Sequence, residues 1–146
     1  MAIKARIPFQ GLGVVLLTLA AINGYLATVM ETCTQGGADS LLAIFLSLPL
    51  YALGFAAIIV WPLARWAWIF LLPAFIGMAY HLVWTLRFAF YYLAERRAVC
   101  DLITGDWDGR FGFDGREPLY LAAWTFLSVM IVAGTIWAAR RTFKSA

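Results

Sequence analysis

Two ionisable side chains stand inside an otherwise uncharged apolar stretch, and they are the first residues that invite a chemical role. His81 and Arg87 interrupt the run from Trp66 to Ala94. An ionisable group within a membrane span is energetically costly, so each marks a functional hypothesis. Trp84 and Tyr91 recur at helical spacing around them. We predict that His81, Trp84, Arg87 and Tyr91 form a face that contacts lipid, a ligand or a partner.

Arg87 has two interpretations that differ in what the guanidinium contacts. It lies eight residues before Glu95, which is about 12 Å of helical rise. The long side chain reaches the headgroups from that depth, so an anchoring role is the one we favour. The alternative is that Arg87 binds an anionic lipid or a substrate carboxylate.

His81 lies deeper, and a haem ligand is one interpretation of it, with Gly77 admitting the macrocycle. The chain has a single His, so a second axial ligand must be Met or come from another subunit. A hydrogen bond from His81 to Asn23, Ser47 or Ser128 is the commoner arrangement for such a residue. We therefore predict no cofactor, and we keep a haem- or quinone-binding redox protein as an alternative function.

The only two cysteines, Cys33 and Cys100, fall in segments between apolar stretches that the charge pattern assigns to the outside. Such a compartment permits disulfides. The sequence has no Cys-x-x-Cys pair, which argues against catalytic thiol exchange. We predict a structural disulfide between the two, the alternative being two unpaired thiols.

The segment between the last two apolar stretches combines Asp-Gly turns with aromatic residues. We predict that Trp107, Phe111 and Phe113 contact a partner there. The acidic residues in this segment do not follow the spacing of a calcium-binding EF-hand loop. The sequence therefore predicts no metal site.

Four long apolar stretches must position these residues. The chain is 64% hydrophobic and 13% charged, against about 25% charged in a soluble domain. A helix needs about 20 apolar residues to cross a bilayer, and these stretches do not alternate as barrel strands do. We predict an all-α membrane protein, a single transmembrane domain over 1–146 that forms a four-helix bundle. The predicted helices are 7–30, 40–63, 66–94 and 118–139, with outer loops 31–39 and 95–117.

Prolines and aromatic residues refine this architecture. Pro49 and Pro73 are expected to kink the second and third helices. Pro62 and Arg65 are typical of a tight turn, which predicts that the second and third helices are antiparallel neighbours. Aromatic residues near both boundaries indicate interfacial belts. The inner belt is Trp61, Trp66, Trp68 and Trp137, and the outer belt is Tyr91, Tyr92, Tyr120 and Trp124.

Charge sets the predicted orientation. One side of the membrane carries basic residues and no acidic one: Lys4, Arg6, Arg65, Arg140, Arg141 and Lys144. Basic residues are retained in the cytoplasm, so both termini are predicted to be cytoplasmic, in a bacterial inner membrane. Because the basic residues sort by membrane side rather than forming a patch, nucleic-acid binding is excluded.

The function classes follow from what the spans contain. No Asp or Glu lies within a predicted span, which disfavours a proton-coupled carrier, and no catalytic triad, metal cluster or phosphate loop is visible. We predict a non-catalytic accessory or structural subunit of a larger inner-membrane complex, whose partners are lipids, other subunits or further copies of itself. An oligomeric small-solute transporter or channel is a second alternative, and enzymatic activity is left open.

Overall fold

The chain folds into four long helices, as a computed structural model of residues 3–29, 38–98, 101 and 117–144 shows. These residues contain no strand, so the predicted all-α class is confirmed. The predicted Cys33–Cys100 disulfide and the aromatic residues of the 95–117 loop lie outside the described residues. The α-helices are α1 (Ile3–Val29), α2 (Ala38–Val60), α3 (Leu72–Glu95) and α4 (Glu117–Lys144), and a 3-10 helix (Arg65–Leu71) precedes α3.

The first and last helices extend past the charges that bounded the sequence prediction. α1 begins at Ile3 rather than residue 7, and α4 continues to Lys144 rather than stopping at residue 139. A 27-residue helix is about 40 Å long, which exceeds the roughly 30 Å hydrocarbon core. The helices are thus longer than the hydrocarbon core requires. Their charged ends extend beyond the apolar stretch to headgroup depth and are helical there.

Proline shapes the connection between α2 and α3. α2 ends at Val60, because the residue before Pro62 is pushed out of the helical region. Pro73 lies in the first turn of α3. The N–H groups of a first turn make no hydrogen bond within the helix, so a residue without an N–H is tolerated there. The expected kink at Pro73 is therefore wrong, since this proline begins the helix. Pro49 does lie inside α2.

The order of the helices around the bundle differs from their order in the chain. α1 packs along α2 and α3, and α4 packs along the other sides of those two helices. α2 and α3 thus lie diagonally opposite, as do α1 and α4. The predicted α2–α3 hairpin is wrong, because the 3-10 helix carries the chain across the end of the bundle instead of turning it back at once.

Gly13 of α1, Gly54 of α2 and Gly77 of α3 allow α1 to approach its neighbours closely. A Cβ atom on Gly77 of α3 would lie 2.8 Å from the Cβ of Ala21, and one on Gly13 would lie 2.9 Å from the Cγ1 of Ile58. Real Cβ atoms do not approach other atoms so closely. Small residues at such crossings let backbones come together where lipid supplies no hydrophobic drive for association.

Most of the apolar surface of the helices faces outward. Between 22% and 39% of the residues in each candidate span are buried inside the chain. Large apolar side chains such as Leu86 and Leu93, each 71% exposed, lie on the outer surface of the helices. A single chain in water would not leave so much contiguous apolar surface uncovered. The surface fits a hydrocarbon solvent.

Contacts between distant segments define one end of the bundle, which we call the linker end. The Nε2 of Gln10 in α1 donates to the carbonyl of Pro62 at 2.7 Å. The Nε1 of Trp68 donates to Thr142 Oγ1 in α4 at 3.3 Å. The start of α1, the α2–α3 connection and the end of α4 therefore share this end.

Residues 96–98, which follow α3, and Asp101 lie at the opposite end, which we call the loop end. Arg96 takes a left-handed conformation with φ 51° and ψ 44°, and its N–H donates to the carbonyl of Tyr91. The backbone therefore turns sharply after Glu95. Asp101 and Glu117 are both 2% exposed, so acidic side chains are enclosed at this end.

Candidate functional site

The deepest polar group, His81, is bonded across the α3–α4 interface. Its Nε2 lies 3.3 Å from the main-chain carbonyl oxygen of Trp124, which can only accept, so Nε2 carries the proton. Thr85 lies one turn further along α3 and donates to the carbonyl of His81 at 3.0 Å. Ser128 of α4 donates to Thr85 Oγ1 at 3.0 Å. We call these four residues the His81 network.

The predicted hydrogen bond from His81 to Asn23, Ser47 or Ser128 is wrong, because the imidazole bonds to the Trp124 carbonyl instead. Ser128 joins the network, but through Thr85 rather than by a direct bond. Asn23 and Ser47 form a separate link between α1 and α2, in which Asn23 Nδ2 donates to Ser47 Oγ at 2.9 Å. The same amide donates to the carbonyl of Ala43 at 2.7 Å. Two polar clusters thus fasten two different helix pairs.

The packing around His81 gives the haem interpretation no support. His81 is 2% exposed, and its Nε2 is already engaged with a carbonyl. Gly77, which was expected to leave room for the macrocycle, is instead in close contact with Ala21 of α1. The space beside His81 is filled by the ring of Trp124, with the ring centroids 6.0 Å apart.

Trp124 occupies the centre of the bundle, which sequence reasoning missed. It is fully buried and packs edge-on against Phe88 at 5.6 Å, so its assignment to an interfacial belt is wrong. Tyr120, 3% exposed, is likewise inside. Within the described part of the chain, the Nε1 of Trp124 has no hydrogen-bond acceptor.

The predicted face of His81, Trp84, Arg87 and Tyr91 divides into two environments. His81 points into the core beside Trp124. Trp84 and Tyr91 are half-buried, and Arg87 is exposed. The helix therefore turns its imidazole inward and its guanidinium toward the lipid.

An apolar groove of about 690 Å³ opens on the outer surface where α3 and α4 meet. The α3 wall is formed by Leu82, Thr85, Leu86 and Ala89, and the α4 wall by Thr125, Ser128, Val129, Val132, Ala133 and Ile136. We call this feature the α3/α4 groove. Thr85 and Ser128 belong to both the groove and the His81 network, so the hydroxyl pair lies at the groove's inner side.

The α4 wall of the groove also includes the hydroxyl-bearing residue Thr125. Thr125 is exposed, and it lies eight residues into α4, about 12 Å from the helix start. Thr18 and Thr85 each donate to the carbonyl four residues earlier, at 2.9 and 3.0 Å. Among residues 3–29, 38–98, 101 and 117–144, Thr125 Oγ1 has no hydrogen-bond partner, so its hydroxyl is available to an occupant of the groove.

Arg87 lies on the opposite flank of α3 from the groove. Its guanidinium carbon stands 5.0 Å from the centroid of the Trp84 ring, within the range of a cation–π contact. Trp84 in turn contacts Tyr80, with ring centroids 6.0 Å apart. Tyr80 contacts Tyr25 of α1 at 5.0 Å in an edge-on geometry. This arginine–aromatic ladder links α3 to α1.

Aromatic and basic side chains also gather at the linker end. Trp66 is 73% exposed and Trp137 57% exposed, as expected for rings at headgroup depth. Phe9 stacks on Trp61 with centroids 4.4 Å apart. The guanidinium of Arg65 stands 5.8 Å from the ring centroid of Phe143.

The fold and these features define a class: an integral membrane protein whose four helices are long and apolar enough to cross a bilayer. Among the described residues, no group of three or more His, Cys, Asp or Glu side chains is placed to hold a metal ion. No protein-family model matches the chain, and neither a curated protein sequence nor a solved structure matches it.

Proposed function

We propose that the protein is a non-catalytic accessory subunit of a larger membrane protein complex, and that its α3/α4 groove receives a transmembrane helix of the partner subunit. The observation that carries this proposal is an apolar groove that presents hydroxyl groups part-way across the bilayer. The groove lies on the lipid-facing surface, so another helix can enter it laterally.

The hydroxyls favour a helix over an acyl chain. Thr125 offers an exposed hydroxyl without a bond to any described residue, and Ser128 and Thr85 form a pair at the inner side of the groove. A lipid tail has no hydrogen-bonding group to meet them. A polar side chain on a neighbouring helix does, and such interhelical bonds are worth about 0.6 kcal/mol on average, with values up to about 1.7.

The walls also suit close helix contact. Ala89 and Ala133 are small residues on opposite walls, and small residues let helix backbones approach within a membrane. On α4 the exposed residues Phe126, Val129, Ala133 and Ile136 are separated by three, four and three positions. This alternation of threes and fours is the spacing of a left-handed helix–helix seam.

A structural role also agrees with how the polar side chains inside the spans are used. Asn23 and Ser47 join α1 to α2, while the His81 network joins α3 to α4. These groups are engaged in holding the bundle together. The transporter alternative gains no support from the α3/α4 groove, since it is open to the lipid rather than directed through the bundle.

The proposed setting is the inner membrane of a bacterium, with the linker end in the cytoplasm. Arg65, Arg140 and Arg141 lie at the linker end, where Lys4, Arg6 and Lys144 also fall along the sequence. Retention of basic residues on the cytoplasmic side supports this orientation.

The decisive experiment fills the groove and asks whether the complex survives. Ala133→Phe places a ring in the groove, and Ala56→Phe makes the same change on the exposed surface of α2. In membranes solubilised gently from the host, the wild-type chain and Ala56→Phe should migrate with a larger assembly on native gels. Ala133→Phe should migrate as the free chain.

A photo-crosslinking residue at Ala133 identifies what occupies the groove. We expect an adduct with one other membrane protein, absent when the same crosslinker replaces Ala56. An adduct of twice the chain's mass would assign the groove to a second copy and overturn the proposal of a different partner subunit. If the two phenylalanine variants migrated equally on native gels, the groove would not be the site that contacts the partner.

A further inference from the structure

Arg87 places a guanidinium inside a candidate membrane span, and none of the described carboxylates forms an ion pair with it. Among the residues that the structure describes, the contact made by the guanidinium of Arg87 is a cation–π contact with the ring of Trp84, whose centroid lies 5.0 Å away. The side chain is exposed and starts about 12 Å along the helix from Glu95. A charge at this depth needs an anion or a polar headgroup to offset its transfer from water.

The aromatic ladder holds the guanidinium at one place on the surface. Trp84 is backed by Tyr80, and Tyr80 by Tyr25 of α1. The indole therefore has a fixed position between two helices. The guanidinium lies 5.0 Å from the centre of that ring, and its planar fork of N–H donors can meet a pair of oxygens.

We propose that Arg87 and Trp84 bind the phosphodiester of a phospholipid in the leaflet at the loop end. A guanidinium matches the paired oxygens of a phosphate, and the arginine side chain is long enough to extend toward the headgroup layer. The acyl chains would run from Arg87 toward the bilayer centre along Val83 and Ile76. These two residues share the side of α3 that Arg87 occupies and are 55% and 65% exposed.

This lipid site is separate from the α3/α4 groove. Leu82, Leu86 and Ala89 line the groove, and they lie on the flank of α3 that faces away from Trp84 and Arg87. A partner helix in the groove therefore does not reach Arg87. A phosphate also reaches this depth by local movement of the lipid, whereas a partner's carboxylate would have to be buried in the hydrocarbon region first.

Photolabelling of the purified full-length chain tests the site. The probes are phosphatidylglycerol and diacylglycerol that carry the same photoreactive acyl chain, so that they differ only in the headgroup. With the phosphatidylglycerol probe we expect peptide adducts on α3 near Ile76 and Val83. Arg87→Gln should reduce these adducts about tenfold, as expected for loss of a charge-assisted hydrogen-bond pair.

Arg65→Gln is the matched control, since the Arg65 guanidinium also lies near an aromatic ring, at 5.8 Å from the Phe143 centroid, but at the linker end. It should leave the α3 adducts unchanged. Arg87→Lys retains the charge without the planar fork and should give an intermediate yield. Circular dichroism and gel filtration establish that each variant folds.

Competition on the wild-type chain keeps the test independent of any variant's folding. Unlabelled phosphatidylglycerol should displace the label at a concentration about tenfold lower than unlabelled diacylglycerol. Equal displacement by the two lipids would overturn the proposal, as would undiminished α3 labelling in a folded Arg87→Gln chain. A protein adduct, instead of a lipid adduct, from a crosslinker placed at Val83 in native membranes would assign the site to a partner protein.

Discussion

The imidazole of His81 joins α3 to α4 through a hydrogen bond. Its Nε2 donates to a main-chain carbonyl of α4, and the neighbouring Thr85 both donates to α3 and accepts from Ser128 of α4. Each hydroxyl in this network therefore has a defined direction. In hydrocarbon such bonds fix the register of two helices, because slipping by one turn would leave the polar groups without partners.

Removing the centre of the network should weaken the bundle. Thr85→Val keeps the side-chain shape but abolishes the bond from Ser128 and the bond to the His81 carbonyl. We expect the free energy of unfolding to fall by about 1 kcal/mol, measured by circular dichroism during titration with a denaturing detergent.

Thr18→Val is the matched control for that change. Thr18 donates only to the carbonyl of Val14 in its own helix, at 2.9 Å. Its loss should therefore cost less than the loss of Thr85. If the two variants lose the same stability, the interhelical bonds do not contribute as described.

At the scale of elements, close backbone contact decides which helices are neighbours. α1 approaches α3 at Gly77, opposite Ala21. Since the nearest atoms on α1 include main-chain atoms, they cannot move aside without a shift of the whole helix. This contact is one reason that α3 lies beside α1 rather than beside α2, which precedes it in the chain.

Gly77→Ala should separate α1 from α3. The new Cβ would lie 2.8 Å from Ala21 Cβ and 3.1 Å from the Ala21 carbonyl oxygen. We expect a loss of about 1–3 kcal/mol in the free energy of unfolding, typical of overpacking. The same denaturing-detergent titration measures it.

Gly11→Ala provides the comparison, because no atom lies within 4 Å of its added Cβ. Alanine favours helix over glycine by up to about 1 kcal/mol, so this variant should be neutral or more stable. A Gly77→Ala chain as stable as the Gly11→Ala chain would contradict the close α1–α3 crossing.

At the scale of the whole molecule, the two flanks of α3 offer different surfaces. The α3/α4 groove presents hydroxyls among apolar side chains, whereas the Arg87 flank presents a cation on an aromatic support. The proposed partner helix and the proposed lipid would thus occupy separate parts of the perimeter. Both proposals place this chain at the boundary between a complex and its lipid.

The proposed orientation predicts where the C-terminus and the cysteines lie. A reporter active only in the cytoplasm should work when fused after Ala146, and one active only outside should not. Peptide mass spectrometry without reduction should then recover Cys33 joined to Cys100, because both would face an oxidising compartment. A reporter that works only outside the cell would refute the orientation, and free thiols at both positions would refute the disulfide.

The sequence by itself determined that the chain is helical, that four of its segments are long and apolar enough to cross a membrane, and roughly where each helix lies. These properties depend on the length and apolarity of continuous segments, which are local. It also identified His81 and Arg87 as unusual, since their cost in hydrocarbon does not depend on the fold. The sequence did not predict the ends of α1 and α4, because charged residues remain helical beyond the bilayer core.

Only the tertiary structure decided which helices are neighbours and what each polar group contacts. Large apolar residues are exposed on every one of the four helices as well as buried in the core, so hydrophobicity does not reveal which face is buried. Trp124 therefore resembled an interfacial residue and proved to be central, while Thr85 carried no sequence signal and joins two helices. Steric fit between small and large side chains determines which helices pack together. That fit depends on contacts between segments that are distant in the sequence.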